Sequence, residues 1–238
     1  MNKKVLATVT ARGESKRIPK KSIVPILGRP SMVWVIEALQ KSKRVNRIIV
    51  DTDSEEIAEI GRGAGAEIPF LRPKELARDS STHLEVLKHE LEFLKKKERY
   101  WPDAVVLVQP TNPLVEPEDI DRAVELLLKD NLDSVETIFE VPTIFHPYRV
   151  RTIDTQGFTR FFMPNERKVA IQSGIWPKIY AVDAVYCFKP ETLYTYGTIQ
   201  GERSKSVIVP REQTSDIDEP IDVLTTEAVL KHRHQRKN

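Results

Sequence analysis

The sequence has one cysteine in 238 residues, Cys187, so an internal disulfide and a cysteine-rich metal site are both excluded. Its neighbours Val185, Tyr186 and Phe188 are apolar, which predicts a buried, inert thiol in a reducing compartment. Long hydrophobic runs are missing too. The N-terminal apolar stretch beginning at Val5 is broken at Arg12, too short for a signal core or a membrane span. A cytoplasmic protein without a membrane partner is therefore expected. Charge of one sign is also lacking: 37 Lys+Arg against 35 Asp+Glu leave a net of +2. No broad basic field is available for nucleic acid, and none is expected as a partner. The five histidines show no HExxH spacing and no serine lies in a Gly-x-Ser-x-Gly elbow, so zinc chemistry and a hydrolase triad have no support.

What is present reads as one globular domain over residues 1–238, with 40% hydrophobic and 30% charged residues, long enough to bury a sizeable core. Val5–Val9, Arg47–Val50 and the fully apolar Ala104–Val108 predict strands. Ser31–Ser42, Glu55–Arg62, Leu84–Leu94 and Pro117–Leu128 carry apolar residues at helical spacing. A further short strand is expected at Glu67–Phe70. This alternation predicts an α/β fold with a mostly parallel sheet, ligands lying at the carboxyl ends of its strands. From residue 136 to 180 the helical period is lost and prolines and aromatics scatter; short antiparallel strands and loops are expected there, an inserted lid or dimerisation region at about 141–180. Ala181–Phe188 and Ser206–Val209 then read as strands, and a helix opens at Pro220 with Asp218 placed as its cap and a frayed basic tail beyond His232.

The loop Ala11-Arg12-Gly13-Glu14-Ser15-Lys16-Arg17-Ile18-Pro19-Lys20-Lys21-Ser22 leaves the first strand with five cations, a glycine and two hydroxyls. Lysines are ordinarily solvated, yet this position, strand then loop then helix, is where an α/β sheet grips phosphate. It is not a Walker A loop. Asp216 and Asp218, two apart in an extended segment, put their carboxylates on one side. That suits Mg2+ shared with phosphate oxygens, although taken alone the pair reads as a helix cap. Gln109-Pro110-Thr111-Asn112-Pro113 is either a rigid polar loop that reads a sugar or base, or a plain turn. Asp53 or Ser54 caps the helix from Glu55.

Together these segments resemble the acylneuraminate cytidylyltransferase family, the CMP-sialic acid and CMP-nonulosonic acid synthetases. The basic loop, Val50-Asp51-Thr52-Asp53-Ser54, Phe70-Leu71-Arg72-Pro73, Gln109-Pro110-Thr111 and Asp216-Ile217-Asp218 occur in the family's order along nearly the whole chain. The resemblance implies a Rossmann-like nucleotidyltransferase fold, a homodimer formed through the inserted region, and transfer of CMP from CTP to an acidic 2-keto-3-deoxy sugar with Mg2+ and release of pyrophosphate. Carried over by position, Arg12 and Lys21 are catalytic and hold the triphosphate, helped by Ala11, Gly13, Ser15 and Lys16. Arg72 and the backbone near Ser81 contact the cytidine, Gln109 the acceptor, and Asp216 and Asp218 the metal. This chain departs from the family at Val182-Asp183-Ala184, where Asn-Gly-Ala is usual, and at Gln172, where the basic residue of an Arg-Gln pair is replaced. Gln172 and Asp183 thus fall at the acceptor site and point to an acceptor other than N-acetylneuraminate, of pseudaminic or legionaminic type. Alternatives are a different nucleotide or acceptor, or nucleotide binding without turnover.

Overall fold

The computed structural model describes residues 3–15 and 17–237. In chain order its strands and helices are β1 (Val5–Thr10), β2 (Pro25–Ile26), β3 (Arg29–Pro30), α1 (Ser31–Lys41), β4 (Arg47–Asp51), α2 (Glu55–Gly63), α3 (His83–Glu98), β5 (Ala104–Val108), α4 (Pro117–Lys129), β6 (Ser134–Glu140), β7 (Arg151–Ile153), β8 (Thr159–Phe161), α5 (Pro164–Val169), β9 (Tyr180–Phe188), α6 (Pro190–Thr195), β10 (Ser204–Ile208) and α7 (Pro220–Lys237). Six strands form the central sheet in the order β10-β6-β9-β5-β1-β4. Five run parallel, while β9 lies antiparallel to both β5 and β6. The mostly parallel α/β sheet expected from the sequence is thus the one observed.

Alternation within β1 explains the layering. Val5, Ala7 and Val9 face a core shared with Met32, Ile36 and Leu39 of α1 and Ile120, Val124 and Leu127 of α4. Leu6 faces the opposite layer, with Leu87, Leu91 and Leu94 of α3. Each such leucine, removed from water, contributes about 1.5–3 kcal/mol, and both faces of β1 are covered, as a central parallel strand requires. Helix α3 starts where it does because Thr82 and Glu85 cap one another: the Thr82 N–H donates to Glu85 Oε2 at 2.8 Å and the Glu85 N–H to Thr82 Oγ1 at 3.2 Å.

Chain connections reverse direction around β1, which lies between β4 and β5. That reversal leaves a crevice beyond the carboxyl ends of β1 and β5. The basic loop leaves β1 there, and Gln109 leaves β5.

Four expectations are corrected. Residues 67–70 form no strand; only a single bridge joins Glu67 to Ile49, since Pro69 has no amide to extend the ladder. Residues 136–140, expected among short antiparallel strands and loops, belong to the main sheet within β6, paired parallel to β10 and antiparallel to β9; the antiparallel hairpin farther along that region is β7–β8. Asp218 does not cap α7: Asp222 Oδ2 accepts from the N–H groups of Asp218 and Glu219, at 2.9 and 2.7 Å. The basic tail is helical through Lys237, because Arg233 reaches back to Glu116 at 2.6 Å and to the Leu114 carbonyl at 3.0 Å. Among the described residues no helix is long and apolar enough to cross a membrane.

Candidate active site

Beyond the strand ends lie two adjoining cavities, of about 490 and 440 Å³, both lined by Gln109. Cations dominate the first: Arg12, Arg17, Lys21, Arg72 and Arg78 line it, together with Ser15, Ser81 and Asp218. Of the residues placed at the nucleotide by sequence, Ala11 is fully buried in the core, its N–H bonded to the Asp51 carbonyl at 2.9 Å. It anchors the loop rather than lining the cavity. Gly13 borders a neighbouring groove, and its N–H donates to Asp53 Oδ1 at 2.9 Å. A Cβ there would stand 3.1 Å from that of Ser54, so this glycine serves close approach. Helix α2 is capped by Ser54, which leaves Asp53 free for this role. Lys16 lies outside the described residues.

Lys21 and Asp218, 197 positions apart in sequence, meet at 2.7 Å, and Arg17 binds the other oxygen of the same carboxylate. Arg12 pairs with Asp79 at 2.8 Å. The loop after β5 holds the acidic segment in place. The Ile217 N–H donates to the Thr111 carbonyl at 3.0 Å, and the Asn112 amide donates to the Ser215 carbonyl. Ile217 is buried between the two aspartates, so Asp216 and Asp218 flank it on the solvent side. Asp218 borders the first cavity and Asp216 the second. The loop read from sequence as a turn or a sugar reader therefore clamps the acidic segment while presenting Gln109 to both cavities.

Beneath the first cavity sits a buried ionic layer. Arg72 donates from Nε to Asp51 Oδ1 at 2.7 Å and from an Nη to the Asp51 carbonyl at 2.6 Å. Glu90 on α3 accepts from Thr8 Oγ1 at 2.7 Å and is fully enclosed. Burial, with the Asp51 charge adding to it, pushes the Glu90 carboxyl up to about 8; burial also raises Asp51, against the opposing pull of Arg72. Burial thus favours the proton on Glu90, while the Arg72 ion pair favours the charge on Asp51. A folded state that keeps this proton while the unfolded chain releases it near its ordinary pKa loses stability as pH rises, by about 1.4 kcal/mol per pH unit at most. Glu90→Gln, which keeps a donor and acceptor without titrating, is expected to flatten that decline. Urea midpoints of both proteins at pH 6 and 8 check it, and parallel declines would refute the assignment. His83, at the cavity wall, is lowered by burial first and the Arg72 charge second.

The second cavity brings Asp183 together with Phe139, Phe145, Val182 and Asp216. Glu136 pairs with Tyr186 but Ile138 with Val182, so four steps of β9 oppose two of β6. This bulge frees Asp183 from the regular pleat. Burial, reinforced by the charges of Asp119 and Asp216, pushes its carboxyl up to about 6. Gln172 is exposed in the segment between α5 and β9 and lines neither cavity. Sequence reasoning missed Arg78 in the first cavity and Arg211 in the second; the signal for Arg211 was a cation five residues ahead of Asp216.

The profile of the cytidylyltransferase family matches residues 6–204. The chain belongs to that family. It is accordingly a CTP-dependent nucleotidyltransferase. This cytidylyltransferase is 27% identical over 242 residues to the CMP-N,N'-diacetyllegionaminic acid synthase of Legionella pneumophila, covering 95% of this chain and 96% of that one. It is 26% identical over 233 residues to the pseudaminic acid cytidylyltransferase of Campylobacter jejuni, covering 98% of each. In fold it is similar to a CMP:2-keto-3-deoxy-manno-octonic acid synthetase, with a TM-score of 0.70 over 97% of this chain and 99% of that structure at 16% identity. The cytidylyltransferase's first cavity adjoins its second through one shared amide, a layout with room for two reactants side by side.

Proposed function

We propose that this cytidylyltransferase joins CMP from CTP to a nonulosonic acid, a sialic-acid-like 2-keto-3-deoxy sugar of legionaminic or pseudaminic type, and releases pyrophosphate. The observation that carries the reading is the Lys21–Asp218 contact in the cationic cavity, with a second cavity adjoining it at Gln109. The triphosphate lies against Arg12 and Lys21, the cytidine against the wall at Arg72 and Ser81, and the acceptor against Gln109 and Asp183. A sugar hydroxyl attacks the α-phosphorus; the new P–O bond forms as the bond to the bridging oxygen breaks, the hydroxyl proton is released and pyrophosphate leaves. Such transfer needs in-line positioning and charge neutralisation more than covalent help. Arg12 and Lys21 supply both, because bringing the triphosphate in exchanges their carboxylate partners for phosphate oxygens.

Magnesium is assigned to Asp216 and Asp218. Among the described residues no cluster of three or more His, Cys, Asp or Glu side chains suits a metal. The pair alone fits Mg2+, which is ordinarily held by one or two carboxylates plus substrate phosphates and water. Bound there, Mg2+ supplies neutralisation of triphosphate charge. The testing experiment is a pyrophosphate-release assay with CTP and Mg2+ against legionaminic, pseudaminic and N-acetylneuraminic acids. Release with at least one acid and CTP, but not with ATP, GTP or UTP, is expected; no release with any acid overturns the reading.

A homodimer formed through residues 141–180, in the cytoplasm where CTP is made, completes the proposal. Its support is a concentration of exposed apolar side chains in one segment, among them Ile153 at 72%, Phe158 at 60% and Ile175 at 65% exposed. Apolar surface gathered in this way marks an interaction site. Light scattering is expected to give twice the chain mass of 27.3 kDa, and Ile153→Glu with Phe158→Glu to return it to a single chain.

A further inference from the structure

Arg211 is the single cation lining the second cavity among the described residues, and three carboxylates, Asp183, Asp216 and Asp222, line the same space. Each carboxylate has a role of its own. Asp222 accepts the two backbone N–H groups at the start of α7. Asp183 accepts from Thr137 Oγ1 at 3.4 Å, and Asp216 sits beside the first cavity's acid, Asp218. None of them binds Arg211, whose guanidinium has no hydrogen bond or ion pair among the described residues. Lys21 and Arg12, by contrast, are paired with Asp218 and Asp79.

The backbone under Arg211 is fixed. Pro210 precedes it, Arg211–Gln213 form one 3-10 turn, and the Thr214 N–H and Oγ1 both donate to the Arg211 carbonyl, at 3.0 and 2.8 Å. A guanidinium without a partner among the described residues, on a rigid turn and in a cavity whose other charged groups are all carboxylates, is suited to a carboxylate brought by a ligand, held by two parallel N–H···O bonds. Gln172, where the resemblance expects a cation, is exposed and lies outside both cavities.

We infer that Arg211 is the specificity residue that binds the acceptor's carboxylate and so orients its hydroxyl toward the first cavity. The inference rests on the cytidylyltransferase reading given above. It explains how a cavity holding Asp183 accepts an acid at all: the guanidinium offsets the repulsion that Asp183 and Asp216 impose.

The test uses the full chain and two measurements. In calorimetric titrations, legionaminic, pseudaminic and N-acetylneuraminic acids are added to protein saturated with a non-hydrolysable CTP analogue; in steady-state assays KM is measured separately for acid and for CTP. Arg211→Gln is expected to weaken binding of the acid and raise its KM roughly 10- to 100-fold, the span of a lost charge-assisted pair, with KM for CTP within about twofold. Arg211→Lys should fall between, keeping the charge without the fork. The methyl ester of the acid should bind wild type and Arg211→Gln equally poorly. Because Arg211 is exposed, both variants are expected to fold, which their Tm values verify. If the acid binds wild type and Arg211→Gln alike, or binds neither, the inference is overturned. If the acid binds wild type far more tightly than Arg211→Gln but no pyrophosphate appears, Arg211 stands as the carboxylate site and the transfer reaction falls.

Discussion

Lys21→Ala is expected to lower kcat for pyrophosphate release by roughly 100- to 1,000-fold, the loss seen when one preorganised donor to developing oxyanion charge is removed, while Tm changes little. The reasoning starts from the free protein. Lys21 Nζ stands 2.7 Å from Asp218 Oδ1 and the pair is only partly shielded, with side chains 24% and 39% exposed, so the contact itself contributes modestly to stability. Its value lies in position. The short 3-10 turn Lys21–Ile23 is tied to α1 by the Ser31 hydroxyl, which donates to the Ser22 carbonyl at 2.9 Å. The ammonium therefore enters the cavity from a fixed backbone. Lys21→Arg should recover part of the rate, and a double variant with Asp218→Ala should lose less than the two single losses combined, since the proposed function has both act on one triphosphate. A rate within threefold of wild type for Lys21→Ala would mean that the triphosphate does not lie where the cations converge.

Much of this was legible in the sequence, for a physical reason. Strands such as Ala104–Val108 are apolar on every residue because both faces are covered, and a run of that kind with capped helices around it admits few other interpretations. The basic loop was legible by its place after the first strand. What escaped depends on partners chosen in three dimensions. Asp218 and Asp222 stand four apart, and either has the chemistry to cap α7; only the folded chain, by setting Lys21 and Arg17 against Asp218, decides that Asp222 does it. Ala11 sits in the loop motif yet points its methyl into the same core as Val9, two residues before it. Arg211 was invisible because an unpaired arginine and a solvated one read the same until the cavity around it is known.

Arg72→Met is expected to cost about 3–5 kcal/mol, the penalty for stranding one member of a buried ion pair, and so to lower Tm by roughly 10 °C for a chain of this size. The Asp51 side chain is fully buried and that of Arg72 only 5% exposed, and Asp51 Oδ2 already lacks a hydrogen-bond partner among the described residues. Removing Arg72 leaves a charge with nothing opposite it. The carboxyl, raised by burial even with the arginine present, then rises further and takes up a proton. A carboxyl raised in the folded state destabilises most where it must ionise, so the variant's deficit should grow as pH rises from 5 to 8 and shrink as pH falls. Asp51→Asn combined with Arg72→Met removes the charge altogether and should regain part of the loss at pH 8. Denaturant midpoints for the wild type and these two variants across that range separate this from a simple packing defect, which would give a deficit independent of pH. Because Arg72 also lines the first cavity, where the proposal puts the cytidine, the double variant should stay impaired in KM for CTP even where its stability returns; recovery of both together would show that Arg72 acts on the fold alone.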